Sequence, residues 1–247
     1  MTGHWDELNR ALDESLRTVR SWPGPIGVLF SGGVDSSLLA WELRRQPGVT
    51  LWTMGREGSS DLSAGRSAAR LLGLEWSGVV VGLDQVRSAE QRFASALTGL
   101  PKVSLDVLLS LALAIEGAGS PLLVCGQGVD ELFLGYAHYA KLSAPDAERR
   151  SRQDLDRLHD TDWPRTQAIA EVAGKTIVAP YLSPAFERAA RRVPTEWRLP
   201  SDLPKRFFRE WAVSRGLPVG LSLRPKKALQ YGSGVAALAR LPRQARS

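Results

Sequence analysis

The stretch that decides the fold reads Ile26-Gly27-Val28-Leu29-Phe30-Ser31-Gly32-Gly33-Val34-Asp35-Ser36-Ser37. Its first five residues are a short apolar run, which predicts a buried strand. The two glycines then predict a tight turn, and the small and apolar residues from Leu38 to Leu43 predict a helix. A buried strand that leads through a glycine-rich turn into a helix is typical of the first unit of a parallel α/β sheet.

The alternation of strand and helix continues to about residue 126. Further apolar runs predict strands at 49–54, 79–81 and 122–125. The segments between them predict helices near 62–72, 85–98 and 104–117. Upstream, one apolar stripe predicts a helix over residues 6–20, formed by Leu8, Leu12, Leu16 and Val19. Strands that alternate with helices imply right-handed crossovers and a parallel sheet with helices on both faces.

From about residue 144 the pattern becomes helical. The segments 145–159, 162–173, 183–192 and 203–215 are predicted helices separated by proline and glycine. We therefore predict one domain over 1–247, of class α/β, with a doubly wound parallel sheet in about 1–143 and a helical substrate-side portion in about 144–247. Ligands of such sheets bind at the carboxyl ends of strands, near a topological switch point. The glycine-bearing turns after the first and fourth predicted strands are the candidate site.

Composition excludes several other classes of protein. The chain has 247 residues, a formal net charge of +6 and one cysteine, Cys125. One cysteine cannot form a disulfide framework, no apolar run is long enough to span a membrane, and the first residues lack the pattern of a signal peptide. We therefore expect a cytoplasmic protein with no membrane partner.

Positive charge is concentrated near the end of the chain. From Arg188 to Ser247 there are 14 lysines and arginines against three acidic residues, Glu196, Asp202 and Glu210. Such a segment suits an anionic ligand, either a nucleotide or RNA. The plainer interpretation, a solvated basic surface, has about equal weight.

Residues 31–37, here called the phosphate loop, have the composition of an anion site. Gly32 and Gly33 let the backbone approach an anion closely, and helix-terminal N–H groups then point towards it. Hydroxyl donors are available from Ser31, Ser36 and Ser37. Asp35 repels phosphate unless a cation intervenes, so a Mg²⁺ ion between this carboxylate and phosphate oxygens is expected. The alternative is a simple strand-to-helix turn with a serine as N-cap.

The turn after the fourth predicted strand reads Gly126-Gln127-Gly128-Val129-Asp130-Glu131-Leu132-Phe133-Leu134-Gly135-Tyr136. It resembles the second loop of the synthetase domain of the asparagine synthetase family, and the phosphate loop resembles that of N-type ATP pyrophosphatases. Two further segments resemble that family, Pro180-Tyr181-Leu182-Ser183 and Arg224-Pro225-Lys226-Lys227-Ala228-Leu229-Gln230-Tyr231-Gly232-Ser233-Gly234. The matches run from residue 6 to about residue 236. The resemblance implies the adenine nucleotide alpha hydrolase-like (PP-loop ATP pyrophosphatase) type of sheet.

The resemblance also implies an activity and a set of site residues. In this family a carboxylate attacks the α-phosphate of ATP to give an acyl adenylate and pyrophosphate, and ammonia or an amine then displaces AMP. By resemblance, Asp130 joins Asp35 around Mg²⁺, and Lys226 reaches the α-phosphate, with Lys227 as the alternative. The adenosine is lined by Leu29, Met54 and Gly126. Asp130 as a helix N-cap and the lysines as a solvated turn are the plainer alternatives.

Three departures from the family pattern concern the substrates. The glutaminase domain and its cysteine nucleophile are absent from this sequence, so ammonia, an amine or a separate glutaminase or amine-donor partner is expected. Gln127 stands where the family usually has Glu; it is a candidate for contact with the amine, but an amide cannot act as a base. Thr176-Ile177-Val178 and Ser183 replace the family's Glu-Val-Arg and Asp. These replacements leave open whether aspartate itself is the substrate, whereas the resemblance still implies activation of an aspartate-like carboxylate by ATP.

Three functional hypotheses remain at this stage. The first is an ATP-dependent amide-forming ligase that uses ATP and Mg²⁺ and small-molecule carboxylate and amine substrates. The second is a tRNA-modifying ATP pyrophosphatase, which the basic C-terminal segment favours and the lack of paired cysteines disfavours, so a nucleic-acid partner is possible but not favoured. The third is a non-catalytic nucleotide-binding module, which Lys226 disfavours because binding alone requires no lysine at the transition state.

Overall fold

A computed structural model describes residues 2–200, 203–224 and 232–241. The strands in these ranges are β1 Ile26–Leu29, β2 Val49–Gly55, β3 Glu75–Val80, β4 Leu122–Val124 and β5 Thr176–Val178. Within the described residues they form one five-stranded sheet in the order β3-β2-β1-β4-β5. Every neighbouring pair is parallel, and β1 lies at the centre because it pairs with both β2 and β4.

Helices fill the connections between the strands. Before β4 the helices are α1 Thr2–Ser15, α2 Arg17–Arg20, α3 Val34–Leu43, α4 Ser60–Leu72, α5 Leu83–Arg92, α6 Ala94–Leu97 and α7 Lys102–Gly117. After β4 they are α8 Val129–Leu132, α9 Ala144–Arg157, α10 Trp163–Val172, α11 Pro184–Arg191, α12 Thr195–Arg198, α13 Arg206–Ser214, α14 Val219–Ser222 and α15 Val235–Ala239. Short 3-10 turns lie at Ala137–Lys141 and Pro180–Leu182, and a π turn lies at Leu158–Asp162.

The chain adds its first three strands towards one edge of the sheet and its last two strands towards the other edge. From β1 the chain moves outward through β2 to β3, then crosses back over β1 to β4 and continues outward to β5. Right-handed crossovers place the helices of these two excursions on opposite faces of the sheet. The prediction of a doubly wound parallel sheet is therefore confirmed, and the switch point lies between the two strands that precede the glycine-bearing loops.

One strand was not predicted. β5 consists of Thr176, Ile177 and Val178, and it lies in the part of the chain predicted to be helical. Three residues are too few to give a periodic signal, and pairing with β4 decides their conformation. A sheet strand thus lies beyond residue 144, and the division of the chain near that residue stays a prediction.

The first helix and the C-terminal helices share the core with the sheet. The predicted stripe of α1 and α2 is fully buried, from Leu8 and Leu12 to Leu16 and Val19. Burial of each leucine contributes about 2 kcal/mol. Trp211 of α13 is also fully buried, and its Nε1 donates a hydrogen bond to Oδ1 of Asn9 at 2.9 Å. This packing fixes α13 beside the N-terminal part of the chain.

Candidate active site

The phosphate loop joins β1 to α3, as predicted. Gly32 has a φ of +68°, a conformation that residues with a Cβ rarely adopt. Gly33 is the N-cap of α3 with extended backbone, and no side chain caps the helix. The alternative of a serine N-cap is therefore wrong, and the first N–H groups of α3 are not occupied by a side-chain cap.

The serines of the phosphate loop are close together but weakly bonded. Oγ of Ser36 accepts from the N–H of Ser31 at 3.2 Å, and Oγ of Ser31 accepts from the N–H of Gly33 at 3.3 Å. Oγ of Ser37 is buried and has no hydrogen-bond partner among the described residues. The Ser37 hydroxyl is thus a buried donor that no other described group uses, which is compatible with an anion ligand at this loop.

The loop after β4 packs directly against the phosphate loop. A Cβ on Gly126 would lie 3.1 Å from Cβ of Asp35 and 3.4 Å from the backbone N of Ser36, so a larger residue here would have to displace the phosphate loop by a few tenths of an ångström. Tyr181 reaches the same place from the turn after β5, where its hydroxyl donates to the backbone carbonyl of Asp35 at 3.0 Å. Loops that are about 90 residues apart in the sequence thus meet at the switch point.

Asp35 and Asp130 converge on one buried cation, Lys205. Nζ of Lys205 lies 2.7 Å from Oδ1 and 2.8 Å from Oδ2 of Asp35, and 2.8 Å from Oδ1 of Asp130. The side chains of Lys205 and Asp35 are each 6% exposed, and that of Asp130 is 32% exposed. Burial lowers the pKa of Lys205, but the carboxylates of Asp130 and Asp35 outweigh burial and raise it. Lys205 is therefore a protonated cation between two carboxylates.

Lys205 was not predicted as a site residue. The residue immediately precedes α13 and has a φ of +59°, one of two non-glycine residues with positive φ among those described. No local motif surrounds it. Two carboxylates beside an anion site need positive charge, which a basic side chain can supply as well as a metal ion. This electrostatic requirement is the signal that could have indicated a lysine or an arginine here. The alternative of Asp130 as a helix N-cap is wrong, because Gly128 holds that position in α8.

The two carboxylates fit a hard divalent cation. Mg²⁺ prefers oxygen ligands in an octahedral arrangement and is commonly held by one or two carboxylates together with phosphate oxygens and water. Asp35 and Asp130 both reach a single positive atom, so their oxygens already surround one point. Among the residues that the structure describes, no group of three or more metal-ligating side chains exists, so phosphate and water would complete the coordination.

The residues predicted to line the adenosine lie at one edge of the sheet. Leu29 ends β1 and pairs in register with Trp52 of β2, two residues before Met54. Gly126 follows β4 on the other side of β1. The structure therefore brings Leu29, Met54 and Gly126 to the carboxyl ends of three adjacent strands, beside the phosphate loop. Their contact with adenosine stays a prediction.

The family-like segment 224–234 is described only at its two ends. Nη1 of Arg224 donates to the backbone carbonyls of Gly32 at 3.0 Å and Ala64 at 3.1 Å. At the other end, Oγ of Ser60 donates to the carbonyl of Gly232 at 3.2 Å. Both ends thus lie beside the phosphate loop or the first turns of α4. Lys226 and Lys227 fall outside the described residues, and their roles stay predictions.

Comparison with known proteins gives the family. The family described as asparagine synthase matches residues 7–178. The chain belongs to the asparagine synthase family. It is 30% identical to the glutamine-hydrolyzing asparagine synthetase of Rattus norvegicus over 239 residues, and 29% identical to that of Homo sapiens over 240 residues. Each alignment covers 91% of this chain and 42% of the relative, so the chain spans less than half the length of the curated relatives it matches.

Solved structures are more distant from this asparagine synthase family chain. A predicted subunit of tRNA methyltransferase from Methanocaldococcus jannaschii has a TM-score of 0.40 and 18% identity, with 83% of this chain and 94% of that chain covered. In the described residues, no helix combines the length and the apolar character that a membrane crossing requires.

Two features of the second loop depart from or add to the family pattern. Gln127 is half-buried, and its Oε1 accepts a weak hydrogen bond from the thiol of Cys125 at 3.7 Å. Glu131 was not predicted as a site residue; it is buried next to Asp130 and accepts a hydrogen bond from the hydroxyl of Tyr136 at 2.7 Å. Burial and the neighbouring Asp130 carboxylate raise the pKa of Glu131 to about 7. The second loop therefore carries two acidic side chains in different environments.

Proposed function

We propose that this chain is an ATP-dependent ligase that adenylates a carboxylate, releases pyrophosphate and passes the acyl group to ammonia or an amine. The observation that carries this proposal is the convergence of Asp35 and Asp130, from the two switch-point loops, on one buried cation beside the phosphate loop. Membership of the asparagine synthase family supports it. The reaction class, the AMP and pyrophosphate products and the substrates are all part of the proposal.

The phosphate loop would hold the β- and γ-phosphates of ATP. The N–H groups at the start of α3 point out of the helix end, and the helix dipole favours an anion there. Hydroxyl donors come from Ser31, Ser36 and Ser37, of which Ser37 has no partner among the described residues. Binding at this place leaves the adenosine against the ends of β1, β2 and β4, where Leu29, Met54 and Gly126 lie.

Asp35 and Asp130 would hold Mg²⁺, which neutralises pyrophosphate charge as that group departs. Lys205 lies between the same two carboxylates, so its ammonium is beside the phosphate loop and could also donate to phosphate oxygens.

The chemistry has two steps. A carboxylate oxygen of the substrate attacks the α-phosphorus, the bond from that phosphorus to the bridging oxygen breaks, and pyrophosphate leaves. The nitrogen of ammonia or an amine then attacks the acyl carbon, and AMP leaves with the acyl–oxygen bond electrons. We assign Lys226 to the charge that accumulates on the α-phosphate, by family resemblance, because a preorganised cation there lowers the barrier.

The acid and the nitrogen donor are proposed from Gln127 and from the family resemblance. Gln127 can orient an incoming amine through its amide but cannot take its proton. We propose a small-molecule carboxylate of the aspartate class, and ammonia or an amine supplied either free or by a separate glutaminase or donor protein. We also propose a cytoplasmic location, where ATP and Mg²⁺ are abundant.

The test is a product assay on the purified 247-residue chain. The chain is incubated with ATP, Mg²⁺ and ammonium chloride together with a panel of small carboxylic and amino acids, and pyrophosphate, AMP and ADP are quantified. We expect AMP and pyrophosphate in equal amounts, formed only with the correct acid. ADP and inorganic phosphate as products would contradict adenylation. The Asp130→Asn variant is the matched negative control.

Two other functions would be recognised in the same experiment. A non-catalytic module would bind ATP and release no pyrophosphate with any acid. A tRNA-modifying enzyme would release pyrophosphate only when tRNA is added. We do not favour the latter, because several basic side chains of the C-terminal segment are buried in internal contacts: Arg198 and Arg209 are 1% and 5% exposed, and Lys205 neutralises the site carboxylates.

A further inference from the structure

Arg224 contacts the phosphate loop through the backbone carbonyl of Gly32. Its Nη1 donates to the backbone carbonyl of Gly32 at 3.0 Å and to that of Ala64 in α4 at 3.1 Å. The guanidinium occupies the space beside Gly32, because a Cβ built on this glycine would overlap Nη1 of Arg224. Glycine at position 32 therefore serves two requirements, the positive φ and the close approach of Arg224.

The contact with the Gly32 carbonyl fixes the direction of the next N–H group. The described chain has no cis peptide bond, so the carbonyl of Gly32 and the N–H of Gly33 point in opposite directions. With the carbonyl held by Arg224, the N–H of Gly33 points the other way, where it donates to Oγ of Ser31 at 3.3 Å. That is the side on which the serines gather and on which we place the phosphates.

The backbone of Arg224 is itself held firmly. Nη1 of Arg209, a residue that is 5% exposed, donates to the carbonyls of Ser222 and Arg224, the latter at 3.3 Å. The hydroxyl of Ser222 returns a hydrogen bond to the carbonyl of Arg209 at 2.9 Å. The N–H of Arg209 also bonds to the carbonyl of Lys205 at 3.0 Å, so the first turn of α13 supports both Lys205 and Arg224.

From these contacts we propose that Arg224 is a positioning residue that presets the phosphate loop for an anion. It acts through the Gly32 carbonyl and not by touching the nucleotide, and the assignment of the loop to ATP phosphates rests on the proposed function. A charged donor bonded to two carbonyls holds the loop in one conformation before ligand arrives, so that less ordering is needed on binding.

The experiment measures hydrogen exchange of the amides at 31–37 in the chain without nucleotide, for wild type, Arg224→Met and Arg224→Lys. The matched control is Arg149→Met, an arginine of α9 whose side chain is 70% exposed. We expect exchange in this segment to be about tenfold faster in Arg224→Met, the scale of losing a charge-assisted hydrogen bond, and intermediate in Arg224→Lys. Exchange in the strands and the melting temperature should stay near the wild-type values. ATP affinity, measured by calorimetry, should fall by about tenfold in parallel with the exchange.

The outcomes separate the possible roles. Weaker ATP binding with unchanged exchange at 31–37 would mean that Arg224 contacts phosphate directly, and the positioning role would be overturned. Faster exchange throughout the chain with no rescue by lysine would mean a general structural role and would overturn it too. If wild type failed to bind ATP, the proposed function would fail, while the exchange comparison in nucleotide-free protein would still decide the role of Arg224. If Arg224→Met did not fold, Arg224→Lys would provide the same comparison.

Discussion

Nζ of Lys205 lies 2.7 Å and 2.8 Å from the two carboxylate oxygens of Asp35, although the two residues are 170 positions apart in the chain. The same ammonium lies 2.8 Å from Oδ1 of Asp130. One lysine from the helical half therefore lies between acidic residues of both switch-point loops. Because the side chain of Asp35 is nearly buried, leaving it without a cation would be strongly unfavourable, so the ion cluster connects α13 to the sheet edge.

Replacing Lys205 tests whether a metal ion binds the same two carboxylates that the lysine contacts. Lys205→Met leaves Asp35 and Asp130 without this cation, and loss of one partner from a buried ion pair costs about 3 kcal/mol at the lower end of the usual range. We take that lower end because Asp130 is 32% exposed. The melting temperature in EDTA should fall by roughly 6–12 °C for a chain of this size. Millimolar Mg²⁺ should restore part of the loss, because the metal ion neutralises the same carboxylates.

The matched control for this comparison is Lys141→Met, an exposed lysine at the end of a 3-10 turn. Its melting temperature should equal that of wild type with and without Mg²⁺. Equal stability of Lys205→Met and Lys141→Met, or no effect of Mg²⁺ on Lys205→Met, would show that the observed ion cluster does not mark the metal site.

The two carboxylates should not respond alike to neutralisation. Asp35→Asn and Asp130→Asn should each lower Mg²⁺-dependent pyrophosphate release by about 10²–10³-fold, the scale of losing one preorganised charge at a phosphoryl site. The side chain of Asp35 is nearly buried and bonded to Lys205 through both oxygens, whereas that of Asp130 is partly exposed. We expect only Asp130→Asn to regain activity at high Mg²⁺. The measurement is a Mg²⁺ titration of pyrophosphate release, and full turnover of Asp35→Asn would exclude its role as a metal ligand.

The sequence predicted the fold well where the signal is local. The apolar runs before Gly32 and Gly126 predicted β1 and β4, and the glycine turns after them predicted the edge where ligands bind. Topology then required these loops to meet, since both follow strands at the switch point. β5 escaped prediction because three residues carry no period and its conformation depends on pairing with β4.

The site was predicted only in part, for a related reason. Motifs mark loops in which several ligand-binding residues are consecutive, and they led to Asp35 and Asp130. Lys205 and Arg224 act across about 170 and 190 residues of chain. Lys205 lies outside every recognised motif, and Arg224 opens a family-like segment whose lysines alone were assigned a role. No periodicity or motif indicates which of the 32 lysines and arginines reaches a distant carboxylate or carbonyl. Only packing brings them to the loops: Lys205 comes from the residue before α13, and Arg209 within α13 contacts Ser222 and Arg224.

The nitrogen source provides a further prediction. The 247-residue chain has one cysteine, Cys125, which is buried, and burial raises the pKa of its thiol to about 12. Such a thiol is not ionised near neutral pH and cannot attack glutamine. We expect this chain to form product with ammonium chloride and not with glutamine, and Cys125→Ala to keep the ammonium-dependent rate. Amide product from glutamine, detected by chromatography with pure protein, would contradict this expectation.

The variant that best separates an enzyme from a binding module is Lys226→Met. If the Lys226 ammonium meets negative charge that grows only during adenylation, it stabilises the transition state more than bound ATP. Lys226→Met should then lower pyrophosphate release by about 10²–10³-fold while the ATP dissociation constant, measured by calorimetry, changes far less. Lys227→Met is the matched control, one residue away with the same change of charge, and should be much milder. A Lys226→Met variant with full turnover, or one that is defective only in ATP binding, would mean that the resemblance of residues 224–234 to the family's lysine loop assigns the wrong role to this residue.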